Sequence, residues 1–180
     1  MIYLVRHGQT DWNAKKIVQG TIDIPLNDVG REQARETALE VAKFKVEHIF
    51  SSDLSRAMET AEIIGRHIGV SVAVDKRLRE MDSGDLQGKS KDELPGGNTW
   101  ELVANDPKRF NAEPLEDAFV RVKEFLDEIE SKKLENMLIV SHAGTCTMLM
   151  YCARNKVFNK REYFDSKVIL GNAVVYKIGG

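Results

Sequence analysis

A chain of 180 residues, 42% hydrophobic and 30% charged, has room for one core of ordinary size and is short for two. Its 26 basic and 28 acidic residues leave a formal net charge of -2, which offers no general attraction to nucleic acid or to an acidic membrane, so any preference for an anion has to be local. No apolar run approaches the ~20 residues of a spanning helix, and Arg6 and His7 break the apolar N-terminus before a secretory core could form.

Ile2 to Val5 reads as a strand that runs straight into Arg6, His7 and Gly8. From Asp28 to Phe44, Val29, Ala34, Ala38, Val41 and Ala42 recur at helical spacing behind Asn27, a good N-cap. His48 to Phe50 is a short strand ending at Ser51 and Ser52. The next helix turns Leu54, Ala57, Met58, Ala61, Ile64 and Ile68 inward and stops at Gly69, and Val70 to Val74 alternates as another strand. Residues 79 to 99 contain Gly84, Gly88, Pro95, Gly96 and Gly97, which predict a functional or mobile loop with short helical turns. An amphipathic helix follows from Glu116 to about Ser131, with Ala118, Val122, Phe125 and Ile129 on one face. Met137 to Val140 is a second strongly apolar strand, running into Ser141, His142, Ala143 and Gly144, with a helix from Gly144 to about Arg154 behind it. Ala173 to Ile178 is a closing strand on the sheet edge. This alternation predicts one α/β domain over residues 1–180, with a mostly parallel sheet covered by helices on both faces. Cys146 and Cys152 fall on different faces of one predicted helix, poor partners for a disulfide, which makes a reducing cytoplasm the expected location.

His7 is the sharpest chemical candidate. Imidazole is nucleophilic when neutral, and an ordinary pKa of about 6.5 leaves a neutral fraction at physiological pH. Such a group can attack phosphorus and carry the phosphoryl group until water removes it. A lone histidine at a strand end is more often structural, but this one follows Arg6, a planar fork suited to phosphate oxygens, and precedes Gly8, which lets backbone approach a ligand closely. Arg56 is a second clamp, early in the helix after the second strand, where open α/β sheets bind ligands and a helix N-terminus adds donors. His142 leaves the other strongly apolar strand as His7 leaves the first. If the two strands are parallel neighbours the imidazoles meet over one ligand, and the amides of Ala143 and Gly144 can join the anion site. The leaving oxygen needs a proton, for which Glu80 is the first choice and Asp82 the second; spacing does not choose between them.

Rival chemistries fail on spacing. Gly84 to Ser90 has three residues between its glycines where a nucleotide P-loop has four, and Asp85 would repel phosphate. Cys146 has Cys152, not an arginine, six positions on, which removes a thiolate phosphatase loop. His7, His48, His67 and His142 are scattered, with no paired His or Cys at ligand spacing, so a zinc site has no support, and no motif here calls for a cofactor; His48 and His67 read as surface or helix-end residues.

With these residues assembled, the chain closely resembles the histidine phosphatase superfamily, the phosphoglycerate mutase-like proteins, over nearly its whole length. Arg6 to Asn13 is similar to the family's opening motif and Gln19, Gly20, Asp23, Pro25, Leu26 and Gly30 to the stretch after it. Ser51 to Ala61 resembles the segment with the second arginine, Leu78 to Gly88 the segment with the acid, and Val140 to Gly144 the second histidine motif. The resemblance implies a three-layer α/β/α sandwich, His7 as phosphorylated nucleophile, and Arg6, Arg56 and His142 as the rest of the phosphate pocket. It further implies Asn13, Gln19 and the adjoining Gly20 along its wall, Glu80 as proton donor, and catalysis without metal. Mutases of this family follow the acid with Arg, His and Tyr and carry a longer basic insertion. Here Met81, Asp82 and Ser83 follow Glu80, and only a short stretch around Asn98 to Pro114 corresponds to the insertion, a pattern more similar to small broad-specificity phosphatases and α-ribazole phosphatases.

The expectation is therefore a metal-independent phosphomonoesterase acting through phosphohistidine on a small phosphorylated metabolite, α-ribazole phosphate among the candidates. A cofactor-dependent phosphoglycerate mutase, which returns the phosphoryl group to an organic acceptor, is one rival. A non-catalytic module for a phospho-ligand or phosphoprotein, which binds without turnover, is the other. Residues 79 to 114 are where specificity is expected, and nothing in the sequence specifies an oligomeric state.

Overall fold

A computed structural model describes residues 1–95, 99–155, 157–165 and 170–178, with the backbone alone of Trp100. Gly96, Gly97 and Asn98, assigned above to the irregular stretch, lie outside the described residues. Five strands, β1 (Ile2–Arg6), β2 (His48–Ser51), β3 (Val72–Val74), β4 (Met137–Ser141) and β5 (Val175–Ile178), form one sheet in the order β3-β2-β4-β1-β5. β4 is buried at every residue, as a central parallel strand must be, and its unbroken apolar run reflects that. β1 and β2 flank it in parallel register, Ile2 opposite Met137 through Arg6 opposite Ser141, and β5 closes the edge antiparallel to β1. The expected neighbours and the expected edge strand are both present.

The pleat sorts side chains between two cores. Val5, Ile49, Leu138 and Val140 face α2 (Asp28–Val41) and α3 (Ser55–Ile68), where Ala38, Val41, Ala57, Ala61 and Ile64 complete the layer. Leu4, Met137 and Ile139 face the other way, onto α5 (Leu115–Ser131) and α6 (Ala143–Cys152), against Val122, Phe125, Met148 and Leu149. Helices thus cover both faces of a mostly parallel sheet, the α/β/α arrangement. Three further helices were not legible in the pattern: α1 (Asp11–Ala14), α4 (Thr99–Asn105) and α7 (Lys160–Asp165). Each is too short to form on propensity alone. A capping box between Thr10 and Asn13 closes α1, Val103 packs with Val18 and Leu86 under α4, and buried Tyr163 of α7 meets Tyr151 with ring centroids 5.7 Å apart. Among the described residues no helix is long and apolar enough to cross a membrane.

Several boundaries differ for local reasons. The helix expected to reach Phe44 ends at Val41, and Phe44 instead stacks on Tyr3 at 4.8 Å. Val29 is 53% exposed and Ala42 is exposed too, because Gly30 and Thr37 occupy the buried stripe between Ala34, Ala38 and Val41. Met58 and Ile68 are half-buried. The strand expected from Val70 starts at Val72, since the Val70 amide donates to the Gly65 carbonyl in closing α3 behind left-handed Gly69. The last strand starts at Val175, two residues late, where left-handed Ala173 (φ 53°) interrupts the extended chain.

The loop after β1 meets the first turn of α2 backbone to backbone. A Cβ on Gly8 would stand 2.4 Å from the Gly30 carbonyl oxygen, and one on Gly30 would stand 2.1 Å from that of Gln9. Alanine in a helix interior ordinarily gains about 1 kcal/mol over glycine. Here overpacking against rigid backbone reverses the sign, and Gly30→Ala is expected to lose roughly 1–3 kcal/mol of unfolding free energy in urea titrations; a neutral or stabilised variant would contradict the contact.

Candidate active site

The register of β1 on β4 delivers His7 and His142 one residue past the paired ends, with ring centroids 5.1 Å apart and planes tilted by 57°. They stand at the carboxyl ends of parallel strands, beside the exit of β2, where Ser52 leads into α3 and Arg56. A recess of about 60 Å³ opens there, lined by Arg6, His7, Asn13, Ile17, Val18, Gln19, Gly20, Arg56, Glu80, Ser83, Lys91, Thr99 and Ala143. A single water needs about 10–15 Å³ of such space, so the recess takes a group of a few water-sized atoms rather than a whole metabolite. Among the described residues its walls carry three cations, Arg6, Arg56 and Lys91, against one carboxylate, Glu80.

His7 is almost wholly buried at 3% exposure. Its amide donates to the Ser141 carbonyl at 2.9 Å, and its ring Nδ1 lies 2.7 Å from the Gly8 carbonyl oxygen. A carbonyl only accepts, so Nδ1 carries the hydrogen and Nε2 keeps its lone pair. Burial, then the charges of Arg56 and Arg6, hold the His7 pKa well below the ordinary histidine value. His142 is shifted the same way by burial and by Arg56, His7 and Arg6. Both imidazoles are neutral at physiological pH.

Arg56 is completely buried, an expensive place for a guanidinium. Its Nη1 and Nη2 donate to the carbonyls of Ile22 and Gly20, both at 2.8 Å, and burial lowers its pKa to about 10. The stretch from Gln19 to Ile22 is therefore wrapped around the cation. Gly20 adopts φ 53° in that wrap, where any Cβ would strike the Gln87 side chain. Gln19 itself accepts from Thr10 Oγ1 at 3.0 Å. Arg6 donates from Nη1 to the Leu170 carbonyl at 2.8 Å, and burial lowers its pKa also.

Glu80 is 9% exposed, and three backbone amides anchor it: Met81 and Thr145 onto Oε1 at 3.0 and 3.2 Å, and Gly144 onto Oε2 at 3.2 Å. A bidentate pair of Arg79 with Asp53, both bonds 2.6 Å, ties the segment before it to the loop after β2.

Most sequence-assigned site residues share this recess: Arg6, His7, Asn13, Gln19, Gly20, Arg56, Glu80 and Ala143 line it. Four do not. His142 has no exposed surface and sits behind His7, its Nε2 2.9 Å from Ser52 Oγ. Gly144 spends its amide on Glu80 rather than on the open recess. Gly8 is absent from the recess lining, and the Gly30 backbone lies where its Cβ would stand. Asp82 caps the Gly84 amide at 2.7 Å, away from the recess. Sequence reasoning overlooked Ser52, Ser83, Lys91 and Thr99. Ser52 had a signal, since it leaves β2 as the histidines leave β1 and β4, while the other three lie in the irregular stretch, where no periodicity assigns a direction. Lys91 is exposed as a residue; its charged end is the enclosed part, and loss of hydration and the Arg6 charge lower its pKa. His48 and His67 stay outside the site, half-buried and exposed respectively, and Cys146 and Cys152 are buried free thiols, both pushed up to about 12 by burial.

This fold and this recess define a phosphoryl-handling α/β enzyme, and comparison with known proteins agrees. The family model of the histidine phosphatase superfamily, branch 1, matches residues 2–178, and the chain belongs to that superfamily. Phosphoglycerate mutase-like protein 4 of Arabidopsis thaliana is 38% identical over 162 residues, covering 85% of this chain and 70% of the relative. The solved structure of a mycobacterial glucosyl-3-phosphoglycerate phosphatase, complexed with VO3, superposes with a TM-score of 0.81 at 28% identity, covering 97% of this chain and 88% of that one. Bacillus stearothermophilus YhfR matches with the same score, identity and coverage. The chain is thus an enzyme of the phosphatase type.

The depressed histidines have a consequence for stability. Below about pH 6.5 the unfolded chain takes up protons on both imidazoles and the folded one does not, so stability falls as pH falls through that value. In phosphate-free buffer the melting temperature is expected to drop between about pH 7.5 and pH 5.5, with a shallower slope in His7→Gln/His142→Gln. Equal slopes in the two proteins would show that these imidazoles are not held neutral.

Proposed function

We propose that this enzyme hydrolyses small phosphomonoesters in two steps through a phosphohistidine at His7, without a metal. The observation that carries the reading is a neutral His7, with its Nε2 lone pair free, on the wall of a recess between two buried guanidiniums. Four buried polar atoms among the described residues lack hydrogen-bond partners: Arg6 Nε, Arg56 Nε, Thr99 Oγ1 and His142 Nδ1. Three of these side chains line the recess and the fourth packs behind it, and an oxyanion is the partner that such donors call for.

In the first step His7 Nε2 forms a bond to phosphorus as the ester P–O bond breaks, and Glu80 gives its proton to the departing oxygen. In the second, water attacks phosphorus, Glu80 takes a proton from it, the P–N bond breaks and orthophosphate leaves. Arg6 and Arg56 hold the equatorial oxygens throughout, since positioning and charge stabilisation dominate phosphoryl transfer. His142 supports the His7 ring from behind the recess. The small recess admits the phosphoryl group and leaves the organic part outside it, which supports a small phosphorylated metabolite as substrate. A reducing cytoplasm is the setting that suits two free thiols.

A panel of phosphomonoesters assayed with chelator present tests the chemistry. His7→Ala is expected to lose at least about 10³-fold in kcat/KM and to yield no acid-labile phosphoenzyme. Chelator-sensitive turnover, or turnover surviving in His7→Ala, would overturn the proposal. Transfer to added organic acceptors in preference to water would make the enzyme a mutase, and tight phosphoester binding without turnover would make it a binding module. For the proton donor, Glu80→Gln should slow poor leaving groups by roughly 10²-fold while Asp82→Asn stays within about threefold; the reverse ranking would reassign the acid.

A further inference from the structure

We propose that Asn172, Thr60 and Gln33, none of which lines the recess, form a positioning set that holds His7 in its reactive tautomer; the inference rests on His7 being the nucleophile. The tautomer depends on one contact, Nδ1 against the Gly8 carbonyl at 2.7 Å. Glycine has the widest backbone freedom of any residue, so that carbonyl keeps its direction only if the peptide planes around it are held. Three side chains from three parts of the chain hold them. Asn172 Nδ2 donates to the His7 carbonyl at 2.8 Å, the Gly8 amide donates to Thr60 Oγ1 at 3.1 Å, and the Gln9 amide donates to Gln33 Oε1 at 2.9 Å. The peptide between His7 and Gly8 is gripped at both ends, and the next one at its N–H.

Two of the grips are themselves secured. Thr60 donates to the Arg56 carbonyl at 2.7 Å, coupling the nucleophile's peptide to the backbone of the second clamp. Asn172 also reaches Asn13 Oδ1, on the recess wall, at 3.5 Å. It is presented by Ala173, whose left-handed φ of 53° is strained for a residue with a Cβ. The Ala173 amide donates to the Arg6 carbonyl at 2.8 Å and its carbonyl accepts from Thr37 Oγ1, so the bend is pinned on both sides. Release of the Gly8 carbonyl would let the ring proton pass to Nε2, which removes the lone pair that attacks phosphorus.

Asn172→Ala and Gln33→Met each remove one grip, and Gln33→Glu keeps an acceptor oxygen in place. Nitrogen NMR of protein labelled with ¹⁵N-histidine reports which ring nitrogen of His7 is protonated. In the parent and in Gln33→Glu the expected state is Nδ1–H, and in the other two variants a mixture. The rate of His7 phosphorylation should fall roughly tenfold to a hundredfold in those two, as for a misplaced reacting group, while orthophosphate inhibition stays within about threefold. Gln33→Glu should recover most of the rate. Retention of pure Nδ1–H in Asn172→Ala and Gln33→Met overturns the proposal, as does weakening of orthophosphate inhibition in step with the rate. Gln33 is half-buried on α2, so its pair of variants remains readable if melting curves show Asn172→Ala to be unfolded. Should the parent transfer no phosphoryl group, the nucleophile reading fails, and the NMR spectra still decide whether these grips set the tautomer.

Discussion

Parallel pairing of β1 with β4, Arg6 opposite Ser141, is the constraint from which the site follows. Because side chains alternate along a strand, a slip of one residue would turn Leu4 and Val5 to the wrong cores and send His7 away from His142. The two cores therefore enforce the geometry of the two imidazoles. Catalytic alignment and ordinary hydrophobic sorting are here one requirement.

Electrostatics builds on that alignment. A buried arginine is costly, and Arg56 is tolerated because two carbonyls of the stretch between α1 and α2 accept from it. Its charge, with that of Arg6 and the loss of water, keeps both histidines neutral. The clamp that suits an anionic phosphoryl group thus also makes the nucleophile available. A second consequence is that the three cations around the recess stand in a chain of net charge -2, so the attraction for an anion is local.

The sheet was legible because burial writes a simple pattern. β1 and β4 are apolar runs and α5 is amphipathic, and each formed close to the expected residues. Arg6, His7, Arg56 and Ala143 were legible for a related reason: they stand at strand ends or open helices, where an α/β sheet gathers its ligands, whereas Glu80 was legible only as one of two carboxylates in the irregular stretch. Ser83, Lys91 and Thr99 were not, because they sit between short 3₁₀ turns and α4, where packing on Val18 and Leu86 decides direction and no period exists to read. Gly8 is a different case: its residue type was informative, and the close contact that the structure shows for it, the Gly30 backbone, lies more than twenty positions away.

From the residues alone came the α/β class, the two histidine exits, the arginine clamps and a choice of two carboxylates. Those are properties of local pattern and residue chemistry, which survive without knowledge of distant contacts. The choice of Glu80 over Asp82 for the recess wall, the burial that neutralises the imidazoles, and the grips of Asn172, Thr60 and Gln33 on the peptides around Gly8 came only with the tertiary structure. Each depends on groups 24 to 165 positions apart meeting within hydrogen-bond or Coulombic range, a matter of how the layers pack rather than of any local spacing.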